Sequence, residues 1–335
     1  MKVSVVIPVY NKAPYLRECF DSVLQQSFSD FEVIAVDDKS TDDSLAILHS
    51  ITDPRLRVLS LPKNLGPAGA MNAGLDAARG EYIVRMDADD IAVHERVALQ
   101  VAYMDAHPEV GASGGQVELF GGEDGAWRFL LEPDHCAAQM IFGVPVSQGA
   151  SIMRRSVLEA HGLRYDPSWP RVGEDWLFWV RMAPHTRFGN LNEVLIHYRR
   201  GEQNQGHGRD RVADYTMLLR EVFRGMDIPF GQDDLDLHLL GLYIFKSDPD
   251  RHRIRALRNW YDRLLALNAE QGFAPRAAFA ERVEKQWDRL FHFLPRFGSA
   301  AAFEHLRLSG RWPIDRLSYL LKYRVNVHLG RAPEA

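Results

Sequence analysis

Short apolar runs alternate with amphipathic stretches of helical period over the first hundred positions. Val3–Pro8 is continuous and rich in β-branched residues, the pattern of a strand buried on both faces of a parallel sheet. Over 13–26, Leu16, Cys19, Phe20, Val23 and Leu24 recur at helical spacing, which predicts a helix. Phe31–Val36 predicts a second strand. Residues 42–50 predict a helix, with Thr41 or Asp42 as its N-cap. Leu56–Leu59 reads as a third strand, Pro67–Arg79 as a helix stopped by Gly80, and 81–86 as a fourth strand. This order predicts an α/β fold: a doubly wound, mostly parallel sheet with helices on both faces.

Beyond it the pattern loosens. A helix at about 93–106 is ended by Pro108, and strands at 110–120 and 126–131 flank the Gly-rich turn 121–125. Ser147–Arg154 and Val194–Tyr198 read as strands and 174–183 as a helix. From about 209 onward, Leu- and Arg-rich helices are interrupted near Pro229, Pro249, Pro275, Pro295 and Pro313. The polar segment Gly201–Gly208 marks a boundary, giving an α/β domain over 1–205 and a mainly helical region over 206–335. No apolar run approaches ~18 residues, so no spanning helix is expected. Val3–Pro8 lacks the flanks of a signal peptide.

Composition adds bounds. A hydrophobic content of 46% and a charged content of 25% fit a soluble globular protein with a sizeable core. The net charge of −5 gives no reason to expect nucleic acid. Its distribution is uneven: residues 1–250 carry 24 Lys and Arg against 37 Asp and Glu, whereas 251–335 carry 16 against 8. A basic C-terminal region fits an anionic partner or membrane surface, and equally a domain docked on an acidic body. Cys19 and Cys136 have no metal-type spacing, so a reducing cytosol is the expected compartment, with peripheral contact at the inner face of a membrane left open.

The candidate chemistry lies where predicted strands end, since open parallel sheets bind ligands at their carboxyl edge. The first strand ends in Pro8-Val9-Tyr10-Asn11, the second in Asp37-Asp38, and the third leads to Asn64-Leu65-Gly66. The fourth runs into Asp87-Ala88-Asp89-Asp90. Asp87 and Asp89 share one side if the strand pleat persists. Two carboxylates so placed form a seat for a hard divalent cation that completes its shell with phosphate oxygens; a solvated acidic turn is the alternative. No Gly-x-Gly-x-x-Gly follows the first strand, and no Gly-Lys-Ser/Thr phosphate loop occurs.

Taken together, Val5–Asn11, Val36–Asp42, Asn64–Gly66, Asn72–Leu75 and Met86–Asp90 resemble family 2 glycosyltransferases of the GT-A fold, in order, over roughly residues 1–200. The resemblance implies a nucleotide-sugar donor, usually a UDP-sugar, and transfer with inversion. It implies that Pro8, Tyr10 and Asp38 line the base and ribose pocket, with Asp37 beside them. Asp87 and Asp89 match the metal-binding Asp-X-Asp, for Mn or Mg, with Asp89 the direct ligand. Glu174-Asp175 resembles the pair that opens a late helix, making Asp175 the general base. His197 would be a third metal ligand, and Arg199 or Arg200 a phosphate contact. The implied acceptor is a glycan or lipid-linked hydroxyl in surface polysaccharide biosynthesis. Lys39 stands where the family more often has Gly, and Gln148 where it often has His.

Each assignment has a structural alternative. Asp37 suits a turn, Tyr10 suits packing on the sheet edge, and Glu174 suits a helix N-terminus. His197 suits a satisfied structural role, and Trp176, Phe178 and Trp179 suit either a sugar face or the core. Glu202–Arg209 reads as a flap or a linker. Trp312–Arg324 reads as an interfacial helix or one packed on the catalytic domain. A catalytically silent sugar-nucleotide-binding scaffold is the competing function. A nucleotidyltransferase would need a Gly-rich phosphate loop, which Val9–Ala13 lacks. Processive polymer synthesis is not expected, because spanning helices and a Gln-x-x-Arg-Trp motif are both missing.

Overall fold

A computed structural model describes residues 1–122, 124–169, 172–201, 210–310 and 314–328. The chain divides into two compact units, Met1–Arg209 and Asp210–Ala335. In the first, the elements run β1 (Val3–Val9), α1 (Leu16–Leu24), β2 (Phe31–Asp37), α2 (Ser44–Ser50), β3 (Leu56–Ser60), α3 (Gly66–Ala77) and β4 (Tyr82–Arg85). They continue with β5 (Ile91–Ala92), α4 (Arg96–Ala106), β6 (Val110–Gly121), β7 (Gly125–Trp127) and α5 (Pro133–Gln139). The unit closes with β8 (Ile152–Arg154), α6 (Arg155–Ala160), α7 (Glu174–Met182) and β9 (Arg187–Arg200).

The strands form one sheet in the order β3-β2-β1-β4-β8-β6-β9-β5, with β7 paired to β6. β3, β2, β1 and β4 are mutually parallel, with Val9 opposite Asp37 and Val6 opposite Arg85. Their carboxyl ends therefore share one edge. β8 enters antiparallel to both β4 and β6, while β6 and β9 are parallel over most of their length.

Period-two alternation assigns the faces of β1. Val3, Val5, Ile7 and Val9 join Leu16, Cys19 and Phe20 of α1 in the main core. Val6 faces the other way, against α3, and a Cβ on Gly74 would lie 2.2 Å from Val6 Cγ1. Glycine thus lets the helix lie close on the strand. Gly80 meets backbone instead: an added Cβ would sit 2.5 Å from the Ser4 backbone nitrogen and 2.6 Å from the Val3 carbonyl carbon. Backbone cannot rotate away as a side chain can. Gly80→Ala is expected to lower stability by about 1–3 kcal/mol, read as a lower urea midpoint at unchanged slope.

Several sequence expectations need correction. The α2 N-cap is Asp43, without a side-chain capping bond. Asp42 instead accepts from the Ser44 and Ala13 amides and ties two loops together. β4 ends at Arg85, so the pleat stops before Asp87. The strand expected over Ser147–Arg154 is reduced to β8, and that over 126–131 to β7. β9 extends far beyond Val194–Tyr198. Trp176, Phe178 and Trp179 are all buried, which makes them core.

The second unit contains α8 (Arg211–Gly225), α9 (Gln232–Gly241), α10 (Arg251–Gln271), α11 (Arg276–Leu290), α12 (Ser299–Leu308) and α13 (Ile314–His328). Asp210 and Asp250 cap α8 and α10 through their side chains. In α13, Leu320 is buried, Arg316 pairs with Asp288 at 2.8 Å, and the Tyr319 hydroxyl donates to the His292 carbonyl. The helix therefore packs within its own unit, and Leu321 remains exposed. Trp312 and Pro313 lie outside the described residues, as does the segment expected as flap or linker, 202–209. Among the described residues, no helix is long and apolar enough to cross a membrane.

Candidate active site

The site is assembled at the carboxyl edge of the parallel strands. The loops after β1 and β2 are laced together by hydrogen bonds. The Asn11 amide donates to Ser40 Oγ at 3.1 Å, Asn11 Oδ1 accepts from the Thr41 amide at 2.8 Å, and the Lys12 amide donates to Ser44 Oγ at 2.9 Å. Asn11 and Lys39 hold left-handed backbone, with φ of 52° and 64°. That conformation costs an L-residue such as Lys about 1–2 kcal/mol, and it gives the physical reason why glycine would serve at position 39.

Asp37 and Asp38 are both buried. Asp37 Oδ1 accepts from the Ser40 amide at 3.3 Å. Asp38 Oδ1 accepts from the Leu65 amide at 2.6 Å, and its carbonyl accepts from Asn64 Nδ2. Asp38 thereby fixes the loop that opens α3. Pro8 lies in β1 beside them, and Tyr10, 45% exposed, stands open above the edge. Asn64–Ala68 line a pocket of about 230 Å³ together with Pro167, Trp169 and Glu174.

The acidic turn after β4 is held from three sides. Asp87 Oδ2 accepts from Arg85 Nη1, and Asp89 Oδ2 pairs with Lys12 Nζ, each at 2.5 Å. Asp90 Oδ1 accepts from the Arg199 amide at 2.9 Å, and Arg199 Nε donates to the Asp89 carbonyl. Arg199 also pairs with Glu18 and lies over the rings of Tyr15 and Phe120. Beneath the turn, buried Arg96 donates to the carbonyls of Arg85 and Gly149. Asp90 Oδ2, Arg85 Nε and Arg96 Nη1 are buried without a hydrogen-bond partner among the described residues. Burial first, and then the charge of Asp87, pushes the Asp90 carboxyl well above its usual range.

Across the site, Gly173 in left-handed backbone (φ 73°) starts α7 and presents Glu174 and Asp175. Asp175 Oδ1 accepts from the Trp176 amide at 2.8 Å. Burial, followed by the neighbouring Asp175 charge, raises Glu174 to about 7. Burial raises Asp175 as well, against the Trp176 amide and Arg85, with Asp87 adding to the rise. Arg85 faces Asp87 and Glu174 together: burial opposes its charge, but these anions and Tyr165 hold it above its ordinary value. The acidic turn and the α7 carboxylates are therefore one electrostatic neighbourhood.

His197 points elsewhere. It lies opposite Ile91 in β5 and pairs with Glu118 Oε2 at 3.3 Å. No group of three or more His, Cys, Asp and Glu among the described residues is arranged to hold a metal ion. Asp87 and Asp89 nevertheless fit a hard divalent ion. Both offer carboxylate oxygens to a cation, now met by Arg85 and Lys12, and an ion with two protein ligands would take the rest of its shell from phosphate or water. The sequence reading missed Lys12, Arg85 and Arg96. Arg85 did leave a signal, as a charge closing the apolar strand Tyr82–Val84.

The family model described as Glycosyl transferase family 2 matches residues 4–162. An uncharacterized glycosyltransferase of Haemophilus influenzae is 30% identical over 250 residues, which covers 68% of this chain and 76% of that protein. The succinoglycan biosynthesis protein ExoO of Rhizobium meliloti is 32% identical over 247 residues, 67% of this chain and 70% of that protein. Among solved structures, S. aureus TarS 1–349 in complex with UDP-GlcNAc is similar with a TM-score of 0.60 at 21% identity, covering 93% of each chain. The mannosyltransferase PcManGT from Pyrobaculum calidifontis, in complex with GDP-Man and Mn²⁺, gives 0.54 at 20% identity, over 91% of this chain and 87% of that one. At such identities the structural likenesses speak for the fold.

Proposed function

The chain belongs to the family 2 glycosyltransferases, and from that premise we propose that it moves a sugar, with inversion, from a nucleoside diphosphate-sugar to an acceptor hydroxyl. The donor is a UDP-sugar, and the acceptor a glycan or lipid-linked hydroxyl in surface polysaccharide biosynthesis. Residues 1–205 bind the donor and carry out transfer, and 206–335 form a helical extension. The polysaccharide role draws support from the likeness to a succinoglycan biosynthesis protein, and the donor class from the UDP-GlcNAc bound by a structural neighbour.

One observation carries the mechanism: the α7 carboxylates share a charge neighbourhood with the strand-end carboxylate Asp87 through Arg85. Pro8, Tyr10, Asp37 and Asp38 receive the nucleoside at the ends of β1 and β2. Asp175 takes the proton from the acceptor oxygen as that oxygen attacks the anomeric carbon. A carboxylate with a raised pKa is a stronger base than an ordinary one, which suits this task. Burial keeps Asp175 basic, with Asp87 adding to the rise. A divalent cation held by Asp87 and Asp89 would supply Lewis-acid stabilisation of the departing diphosphate.

The direct test is nucleotide release from UDP-, GDP- and dTDP-sugars with and without Mn²⁺. Metal-dependent release from one donor supports the reading. Failure to bind any nucleotide sugar would overturn it. A second expectation concerns pH. With Glu174 at about 7 and Asp175 raised beside it, the acid limb of kcat/KM is expected well above the ordinary carboxylate range. Glu174→Gln removes the higher-titrating member of the coupled pair, so the limb moves to lower pH. A limb that stays in place would separate this pair from the rate.

A further inference from the structure

We infer that Lys12 is a tethered counter-ion of Asp89, which a divalent cation must displace, so that metal entry depends on an anionic donor drawing the ammonium away. The inference rests on the reading of Asp89 as a metal ligand for a nucleoside diphosphate donor.

Lys12 Nζ lies 2.5 Å from Asp89 Oδ2, with the two side chains only 22% and 9% exposed. The pairing joins residues 77 apart in sequence, so it is a product of the fold. The Lys12 backbone is pinned by its amide bond to Ser44 Oγ, next to Asn11 in left-handed backbone. The loop after β1 therefore delivers the ammonium to this carboxylate.

Arg85, the cation on Asp87, differs in kind. It is buried in β4 and shared with Glu174, so it is built in. Lys12 is a point charge on a flexible four-carbon stem, partly open to solvent, and can change partner without moving backbone. An ammonium and a divalent ion cannot both lie against Asp89 Oδ2, because like charges at that distance repel strongly in a partly buried site. Metal binding alone must therefore break the Lys12 pair. A diphosphate offers the ammonium a new anion at the same edge. Metal and diphosphate then bind cooperatively, and each tightens the other by the same factor.

The test is titration of free Mn²⁺, followed by its electron paramagnetic resonance signal, on the full chain with and without UDP. Wild type would be compared with Lys12→Met, Lys12→Arg and Asp89→Asn. Lys12→Met is expected to bind Mn²⁺ alone about tenfold more tightly than wild type, equivalent to about 1.4 kcal/mol, and to gain less from UDP. Lys12→Arg keeps the charge and should stay near wild type. A merely damaged fold would weaken Mn²⁺, so the direction of change separates the two. If Asp89→Asn loses Mn²⁺ while Lys12→Met binds it no more tightly than wild type, the counter-ion role fails and the metal reading stands. If Asp89→Asn keeps wild-type affinity for Mn²⁺, both fall.

Discussion

Asp175→Asn is expected to lower kcat by about 10²–10⁴-fold, the range for loss of a positioned general base, with donor affinity nearly unchanged. The amide is isosteric and can still accept the Trp176 N–H bond that orients Asp175. It cannot take a proton from the acceptor. It also removes a negative charge beside Glu174, whose raised pKa depends on Asp175 after burial. Glu174 should then return toward the ordinary carboxylate range. Steady-state turnover with a donor titration separates the effects: a fall in kcat at constant donor affinity marks a group that acts in the transition state. Wild-type turnover in this variant would remove Asp175 from the chemistry.

Asp89→Asn is expected to abolish the response to Mn²⁺ and to reduce kcat/KM by about 10²–10³-fold, since metal stabilisation of a leaving diphosphate amounts to several kcal/mol. The change is local. The Asp89 carbonyl still accepts from Arg199 Nε and the Asp90 carboxylate still accepts from the Arg199 amide, so the turn keeps its frame. Lys12 loses its charged partner but keeps a partly exposed side chain that can turn to solvent. A thermal midpoint close to wild type, with Mn²⁺ dependence gone, would separate ligand loss from unfolding. Undiminished Mn²⁺-dependent turnover would place the ion elsewhere.

The parallel half of the sheet was legible because its strands are short, largely apolar runs, richest in β-branched residues in β1, separated by stretches of helical period. The mixed half was legible only in part: the strand expected at 110–120 is β6, but its neighbours were misjudged in length or missed. β9 contains Gly189, Asn190 and Asn192, which break the apolar run, yet β6 pairs with it through register shifts. β5 is two residues long and exists because β9 lies beside it. The short helices α5 and α6 span too few turns to show a period.

The sequence by itself determined the fold class and the family, because strand–helix alternation and ordered motifs are local patterns that survive without knowledge of contacts. It also determined which carboxylates follow which strand. The tertiary structure alone decided how those carboxylates are balanced. It brought Lys12 to Asp89, Arg85 to Asp87 and Glu174, and the Arg199 amide to Asp90, and it turned His197 toward Glu118. The reason is physical. A side chain's charge partners and desolvation are set by groups dozens of residues away, and they take effect only once strands have paired and water has been excluded.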